Sequence, residues 1–182
     1  MWYDRVPGGS GSGMVPRNPR ARPAITMIEL RIPGREPIRV ESIVLDFNGT
    51  MAVDGMPKAG CLERLARLAE NVAVHVVTAD TFGNVTEHLR GAGFELVILP
   101  AGRQDEAKAA YCRKLGLKTT VAVGNGANDA RMMKEAALGI AVIQEEGAAV
   151  DAIQNADAVF THINDALDAL LQPDRLDATL RI

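Results

Sequence analysis

Short apolar runs and helically spaced apolar residues take turns along most of this chain. Ile43-Val44-Leu45 is a β-branched and aliphatic run of the kind buried on both faces of a parallel sheet. It closes a predicted strand over residues 38–46 and gives way at Asp46 to the turn-forming Asn48-Gly49-Thr50. Before it, 27–31 alternates and meets Pro33-Gly34, which predicts a short flanking hairpin. After it, 51–57 sets Asp54-Gly55 between short apolar pieces, a hairpin signature and here a small flap. Residues 59–70 place Leu62, Leu65, Ala66, Leu68 and Ala69 on one helical face and Glu63, Arg64, Arg67 and Glu70 on the other. Further strands are predicted at 72–78, 94–99, 119–123, 138–143 and 158–160. Helices are predicted at about 82–90, 104–115, through Met132-Met133, 148–155 and 163–171, with a short amphipathic tail beyond Pro173. Gly91-Ala92-Gly93, Pro100, Gly116 and Pro173 mark the stops. Such alternation predicts a three-layer α/β architecture, Rossmann-like, with a parallel sheet and helices on both faces.

Composition narrows the partners. The 182 residues are 47% apolar and 24% charged, ordinary for a globular protein of one domain. A formal net charge of -3 offers no broad basic field for nucleic acid. No apolar run approaches the length of a bilayer span, so no membrane partner is expected. Residues 1–26 differ from the rest: Gly8 to Gly13 is linker-like and Pro16 to Pro23 is rich in Pro and Arg. They read as a disordered upstream extension or an added non-native segment, with Met27 a natural start and 27–182 the single folded domain. Cys61 and Cys112 form no CxxC and no metal spacing, which points to a reduced, cytoplasmic setting with both as small core residues. His75, His88 and His162 are scattered and read as structural or solvated.

Polar residues gather where predicted strands end. The sets are Asp46/Asn48/Thr50, Thr78/Asp80, Lys108 early in its helix, and Asn125/Asn128/Asp129. Ligands of open α/β sheets bind at such carboxyl ends. The chemistry is coherent for a phosphoryl group. A carboxylate can attack phosphorus, backbone amides near Gly49 and the Thr78 hydroxyl can hold phosphate oxygens, and a lysine can offset transition-state charge. Carboxylate and carbonyl oxygens can bind Mg²⁺, which keeps several of its waters. Singly, each set has a plainer account: an Asp capping a turn, Thr78 as a helix N-cap, a solvated lysine, a Gly/Asn turn. Their order, each at a strand end or the next helix start, is what lifts them together.

Asp46-Phe47-Asn48-Gly49-Thr50, Thr78, Lys108 and Gly124-Asn125-Gly126-Ala127-Asn128-Asp129 resemble the four motifs of the haloacid dehalogenase (HAD) superfamily, over residues 41–172. Within it the chain looks like the soluble P-type ATPase-like group. Thr78-Ala79-Asp80 resembles that group's Thr-Gly-Asp, and the stretch from Leu138 through Val159 is similar to the segment after its last motif. The resemblance implies roles. Asp46 would be the nucleophile, with Lys108 bridging it and the phosphate and Asn48 at the acid/base position. Phe47, Gly49, Thr78, Ala79, Lys108 and Asn128 would hold the phosphoryl group, and Asp46, Asn48, Asn125 and Asp129 would hold Mg²⁺. Two positions depart from the pattern. Asn48 stands where phosphatases of the superfamily have a second Asp, and an amide can do no general acid–base work. Asn125 stands where a metal-binding Asp is usual. Neither gap between motifs has room for a cap domain. The implied function is a slow Mg²⁺-dependent phosphatase acting through an aspartyl phosphate. The alternative is a catalytically degenerate binding or regulatory module. The implied partners are a phosphorylated small-molecule substrate or ligand and further copies of the chain in a homo-oligomer.

Overall fold

The computed structural model describes residues 28–79, 85–89, 93–100 and 102–182. The expectations for residues 1–27, for Asp80 and for the ends of the helix at 82–90 lie outside the described residues. The elements in chain order are β1 (Ile28–Leu30), β2 (Ile38–Val40), β3 (Ser42–Leu45), β4 (Ala52–Val53), β5 (Met56–Pro57), α1 (Cys61–Ala69), β6 (Ala73–Thr78), α2 (Val85–His88) and β7 (Glu95–Ile98). They continue with α3 (Gln104–Leu115), β8 (Thr120–Gly124), α4 (Ala130–Glu135), β9 (Leu138–Val142), α5 (Val150–Gln154), β10 (Ala158–Phe160), α6 (Ile163–Leu171) and α7 (Asp174–Leu180). A short 3-10 turn, Leu117–Thr119, precedes β8.

Six strands form one sheet in the order β10-β9-β8-β3-β6-β7, and every pairing is parallel. The chain builds outward from β3 to β7 on one side, then returns to add β8, β9 and β10 on the other. The reversal leaves a crevice at the carboxyl ends of β3 and β8, where open sheets of this kind bind ligands.

The alternation of side chains along each strand sorts the core into two layers. Ile43 and Leu45, Val74 and Val76, Val121 and Val123, and Leu138, Ile140 and Val142 face α1, α2, α6 and α7. Val44, Val77, Ala122 and Ala141 face α3, α4 and α5. The second layer uses smaller residues, and α4 packs closely against it. A Cβ added at Gly139 would lie 2.6 Å from the Met133 carbonyl oxygen. Cys61 and Cys112 are buried and unpaired, one in each layer, and burial pushes both thiols up to about 12.

Residues 38–46 are not one strand. β2 pairs antiparallel with β1 at the margin, whereas β3 enters the parallel sheet. The change falls at Glu41, whose N–H donates to Thr119 and whose carbonyl accepts from Ala73. β4 and β5 form the expected flap hairpin. Its Asp54-Gly55 pair has φ of 50° and 76°, the left-handed pair that a two-residue turn of this twist requires. Among the described residues no helix is long and apolar enough to cross a membrane.

Candidate functional site

Asp46 leaves β3 while its N–H still donates to Val123 of β8 at 3.0 Å, so the carboxyl emerges from a fixed backbone. The chain then turns sharply about the Phe47 carbonyl, which accepts from the amides of Thr50, Met51 and Ala52. The Phe47 ring is fully buried and anchors that turn in the core. Gly49 has φ 74°, and a Cβ there would sit 2.3 Å from the Asn125 amide nitrogen. A glycine is therefore needed for both the turn and the approach of Asn125.

Lys108, in the second turn of α3, lies between two carboxylates. Its Nζ donates to Asp46 Oδ1 at 2.6 Å and to Asp129 Oδ1 at 2.7 Å. Lys108 is 1% exposed, Asp46 8% and Asp129 0%. The other Asp129 oxygen accepts from the backbone of Asn125 at 3.0 Å and of Gly126 at 2.8 Å. That carboxylate presses on Gly124, where a Cβ would come within 2.4 Å of the Asp129 Cβ. Asn128 donates to Gln104 at the start of α3 at 3.0 Å. Thr78 is buried at the end of β6, on the opposite side of β3 from this loop, with Ala79 half-buried after it. The fold thus brings Asp46, Asn48, Thr78, Lys108, Asn125, Asn128 and Asp129 to one edge of one sheet.

A second set of oxygens meets around Thr50, which is fully buried. Its hydroxyl donates to Asn125 Oδ1 at 3.1 Å and lies 3.5 Å from Asp46 Oδ2. The Asn125 amide nitrogen donates to the Gly147 carbonyl at 3.1 Å, which sets the direction of its oxygen. Asn48 Oδ1 is buried without a hydrogen-bond partner among the described residues.

Two contacts differ from the roles that the motifs suggest. The Gly49 N–H donates to the Ala52 carbonyl, so Gly49 serves this arrangement by lacking a side chain rather than by offering an amide. Both oxygens of Asp129 are engaged, one by Lys108 and one by its own loop, so it acts here as the anchor of that loop.

Two buried carboxylates with one ammonium leave an excess negative charge. Burial, and next the charge of Asp129, push the Asp46 carboxyl up to about 7 even with Lys108 beside it. Burial pulls Lys108 down, but Asp46 and Asp129 more than offset it, and the ammonium is held above its ordinary value. A buried excess of this sign calls for a cation. Among the described residues no three His, Cys, Asp or Glu side chains converge as a metal cluster. The donors available are Asp46, the Asn125 amide oxygen and the backbone oxygens of the turn, an all-oxygen set of low charge. That set, with the unpartnered oxygen of Asn48 nearby, fits a hard cation that keeps much of its water.

Gln104 and Gln144 also reach this site, and the motif pattern passed over both. Gln144 donates to the carbonyls of Gly49 and Thr50. The signal for it was its place just beyond a predicted strand, at the same sheet edge as the other sets.

No family model matches the chain. Uncharacterized protein MJ0073 of Methanocaldococcus jannaschii is 52% identical over 64 residues, which are 35% of this chain and 69% of that protein. The chain belongs to the same family as that archaeal protein. Uncharacterized protein MJ0072 of the same organism is 49% identical over 39 residues, 21% of this chain and 89% of that protein. Solved structures of known type share the fold. The 3-deoxy-D-manno-octulosonate 8-phosphate phosphatase of Moraxella catarrhalis, in complex with magnesium, phosphate and KDO, aligns with a TM-score of 0.57 at 15% identity, over 78% of this chain and 94% of that one. The cobalt-bound deoxy-D-mannose-octulosonate 8-phosphate phosphatase of Haemophilus influenzae aligns at 0.59 and 14%, over 79% and 94%. A phosphoserine phosphatase in apo form aligns at 0.57 and 18%, over 71% and 98%. At these identities the likeness is one of fold: the chain has the α/β fold of HAD-superfamily phosphatases.

Proposed function

We propose that this protein is a slow, Mg²⁺-dependent phosphohydrolase that works through an aspartyl phosphate on Asp46, in the manner of the soluble P-type ATPase-like group. The observation that carries the reading is the buried Asp46–Lys108–Asp129 arrangement at the switch point of the sheet, with one negative charge in excess. A structure built only for stability has little reason to bury such a set.

In this reading the Asp46 carboxylate attacks phosphorus, a new O–P bond forms, and the bond to the leaving oxygen breaks. Lys108 stays between Asp46 and Asp129 and offsets the charge that builds on the phosphoryl oxygens. Thr78, Ala79 and Asn128 hold that group from two sides, with the backbone at Phe47 beneath it. The leaving oxygen takes its proton from water, because the Asn48 amide is too weak an acid to give one up. Water then attacks phosphorus, the bond between phosphorus and the Asp46 oxygen breaks, and phosphate leaves with the Asp46 carboxylate restored and the water's proton returned to solvent. Asp46 Oδ2, the Asn48 backbone carbonyl and Asn125 Oδ1 would hold Mg²⁺, with Asp129 fixing the loop that presents Asn125. Bound there, the ion would neutralise the excess charge and polarise the phosphoryl group. The substrate class is a small phosphomonoester. A cytoplasmic homo-oligomer that closes the capless site completes the proposal.

Beryllium fluoride with Mg²⁺ mimics an aspartyl phosphate. The wild-type protein should melt at higher temperature in its presence, and Asp46→Asn should not. The second reading, a binding module without turnover, is favoured by Asn48, whose amide leaves the acid/base position mute. An equal shift in Asp46→Asn, or none in the wild type, would select it.

A further inference from the structure

We propose that Gln144 is a positioning residue for this site, acting through a closed ring of hydrogen bonds that ties the turn after Asp46 to the side chain of Asn125. The inference rests on the aspartyl-phosphate reading and adds a residue that the four motifs do not contain.

The ring can be followed atom by atom. Gln144 Nε2 donates to the Thr50 carbonyl at 2.8 Å. The Thr50 hydroxyl donates to Asn125 Oδ1 at 3.1 Å. The Asn125 amide nitrogen donates to the Gly147 carbonyl at 3.1 Å. The Gly147 N–H donates to the Gln144 carbonyl at 2.8 Å and closes it. Gln144 spends the rest of its amide on backbone too: Nε2 reaches the Gly49 carbonyl at 3.2 Å, and Oε1 accepts from the Ile163 N–H at the start of α6 at 2.8 Å. A primary amide has two N–H donors and one oxygen, so each end of this side chain is committed. The Ala149 N–H also donates to the Asn125 carbonyl at 2.8 Å. Asn125 is thus held through its side chain by the turn that Gln144 begins, and through its backbone by Ala149 two residues past that turn.

The same turn reaches the flap. Glu146 accepts from the Asp54 N–H at 3.0 Å, and Glu145 pairs with Lys58 just beyond the flap. One four-residue turn, Gln144–Gly147, therefore touches the nucleophile turn, the Asn125 loop and the flap. A side chain that merely capped α6 would need only its oxygen. The two carbonyls of the nucleophile turn require the nitrogen as well.

Two substitutions separate these duties. Gln144→Glu keeps the acceptor for Ile163 and loses both donors. Gln144→Met loses all three bonds at similar volume. The measurement is the apparent affinity for Mg²⁺ with beryllium fluoride, read from melting curves, alongside the melting temperature in buffer alone. Gln144→Glu should bind the pair at least about tenfold more weakly, as supporting residues around metal ligands usually do. It should do so while melting in buffer within the range of ordinary substitutions. Gln144→Met should bind as weakly and also melt lower. In a double-mutant cycle, Thr50→Val should add little to Gln144→Glu, because both cut one ring. A Gln144→Glu protein that binds like the wild type, or full additivity with Thr50→Val, overturns the inference and leaves the aspartyl-phosphate reading standing. A wild type that shows no shift at all overturns that reading instead, and the inference with it. If Gln144→Glu is unfolded at the assay temperature, the affinity of Gln144→Met decides.

Discussion

Helix α3 carries two sets of charges on two faces, and they differ in almost every respect. On the outer face Arg113 forks onto Glu135 at 2.7 and 2.9 Å and reaches Glu106 at 2.8 Å, with Arg131 of α4 joining both glutamates. Two cations meet two anions there, and all four side chains are open to water. On the inner face Lys108 meets two carboxylates, and all three are buried. The outer network is balanced and screened. The inner one is unbalanced, and water cannot make up the difference. The pKa shifts follow the same division. Its arginine partners hold the Glu135 carboxyl down to about 2, whereas burial leaves Asp46 pushed up to about 7. Ion pairs of the first kind are ordinary surface chemistry. The second kind is kept at a cost in stability, which is why the functional reading rests on it.

The sharpest way to break the comparison is Lys108→Met. It leaves two buried carboxylates facing each other and should cost about 3–5 kcal/mol in urea unfolding at pH 8. A loss no larger than that of an ordinary surface change would mean that the inner set is not electrostatically tight.

The next effect is in pH. Asp46 has a folded pKa of about 7, above the ordinary carboxyl value. Its protonation therefore favours the folded state at low pH, and that contribution is lost as pH rises through about 7. Without divalent cations, the wild-type protein should lose stability between pH 4 and 7, on the order of a few kcal/mol. Asp46→Asn should flatten that slope, and Mg²⁺ should reduce it. An identical slope in Asp46→Asn would assign it elsewhere.

Asn48→Asp sharpens the comparison by adding a carboxyl to the inner side, at the position where the proposed mechanism lacks an acid/base. Hydrolysis of an aryl phosphate should rise at least about tenfold, more for a poor leaving group than a good one. An unchanged rate, with Asp46→Asn inactive, would shift attention to Asp54 in the flap or to Asp80.

The smallest effect should come from the outer face. Glu135→Gln should lower stability by little, and high salt should erase the difference. A large, salt-resistant loss would show that the outer network is not a screened surface feature.

The sequence by itself determined what depends on neighbours in the chain. The strand–helix alternation, the stops at glycine and proline, and the Asp54-Gly55 turn all come from local propensity and side-chain period. Asp46, Thr78, Lys108 and Asn125 were legible as a set because each sits at the end of its own strand or the start of its own helix. Such a place is marked locally and brought to one edge by any parallel sheet. Tertiary structure alone decided the rest. Glu41 divides one extended stretch between two sheets, because its partners are Ala73 and Thr119, far along the chain. Asp129 became an anchor because the approach of Lys108 used one of its oxygens and its own loop the other. Gln144 looked like any polar residue after a strand until the fold laid it against Thr50, 94 positions earlier. A hydrogen bond depends on where two atoms meet in space, and for groups so far apart in the chain only the packed structure brings them together.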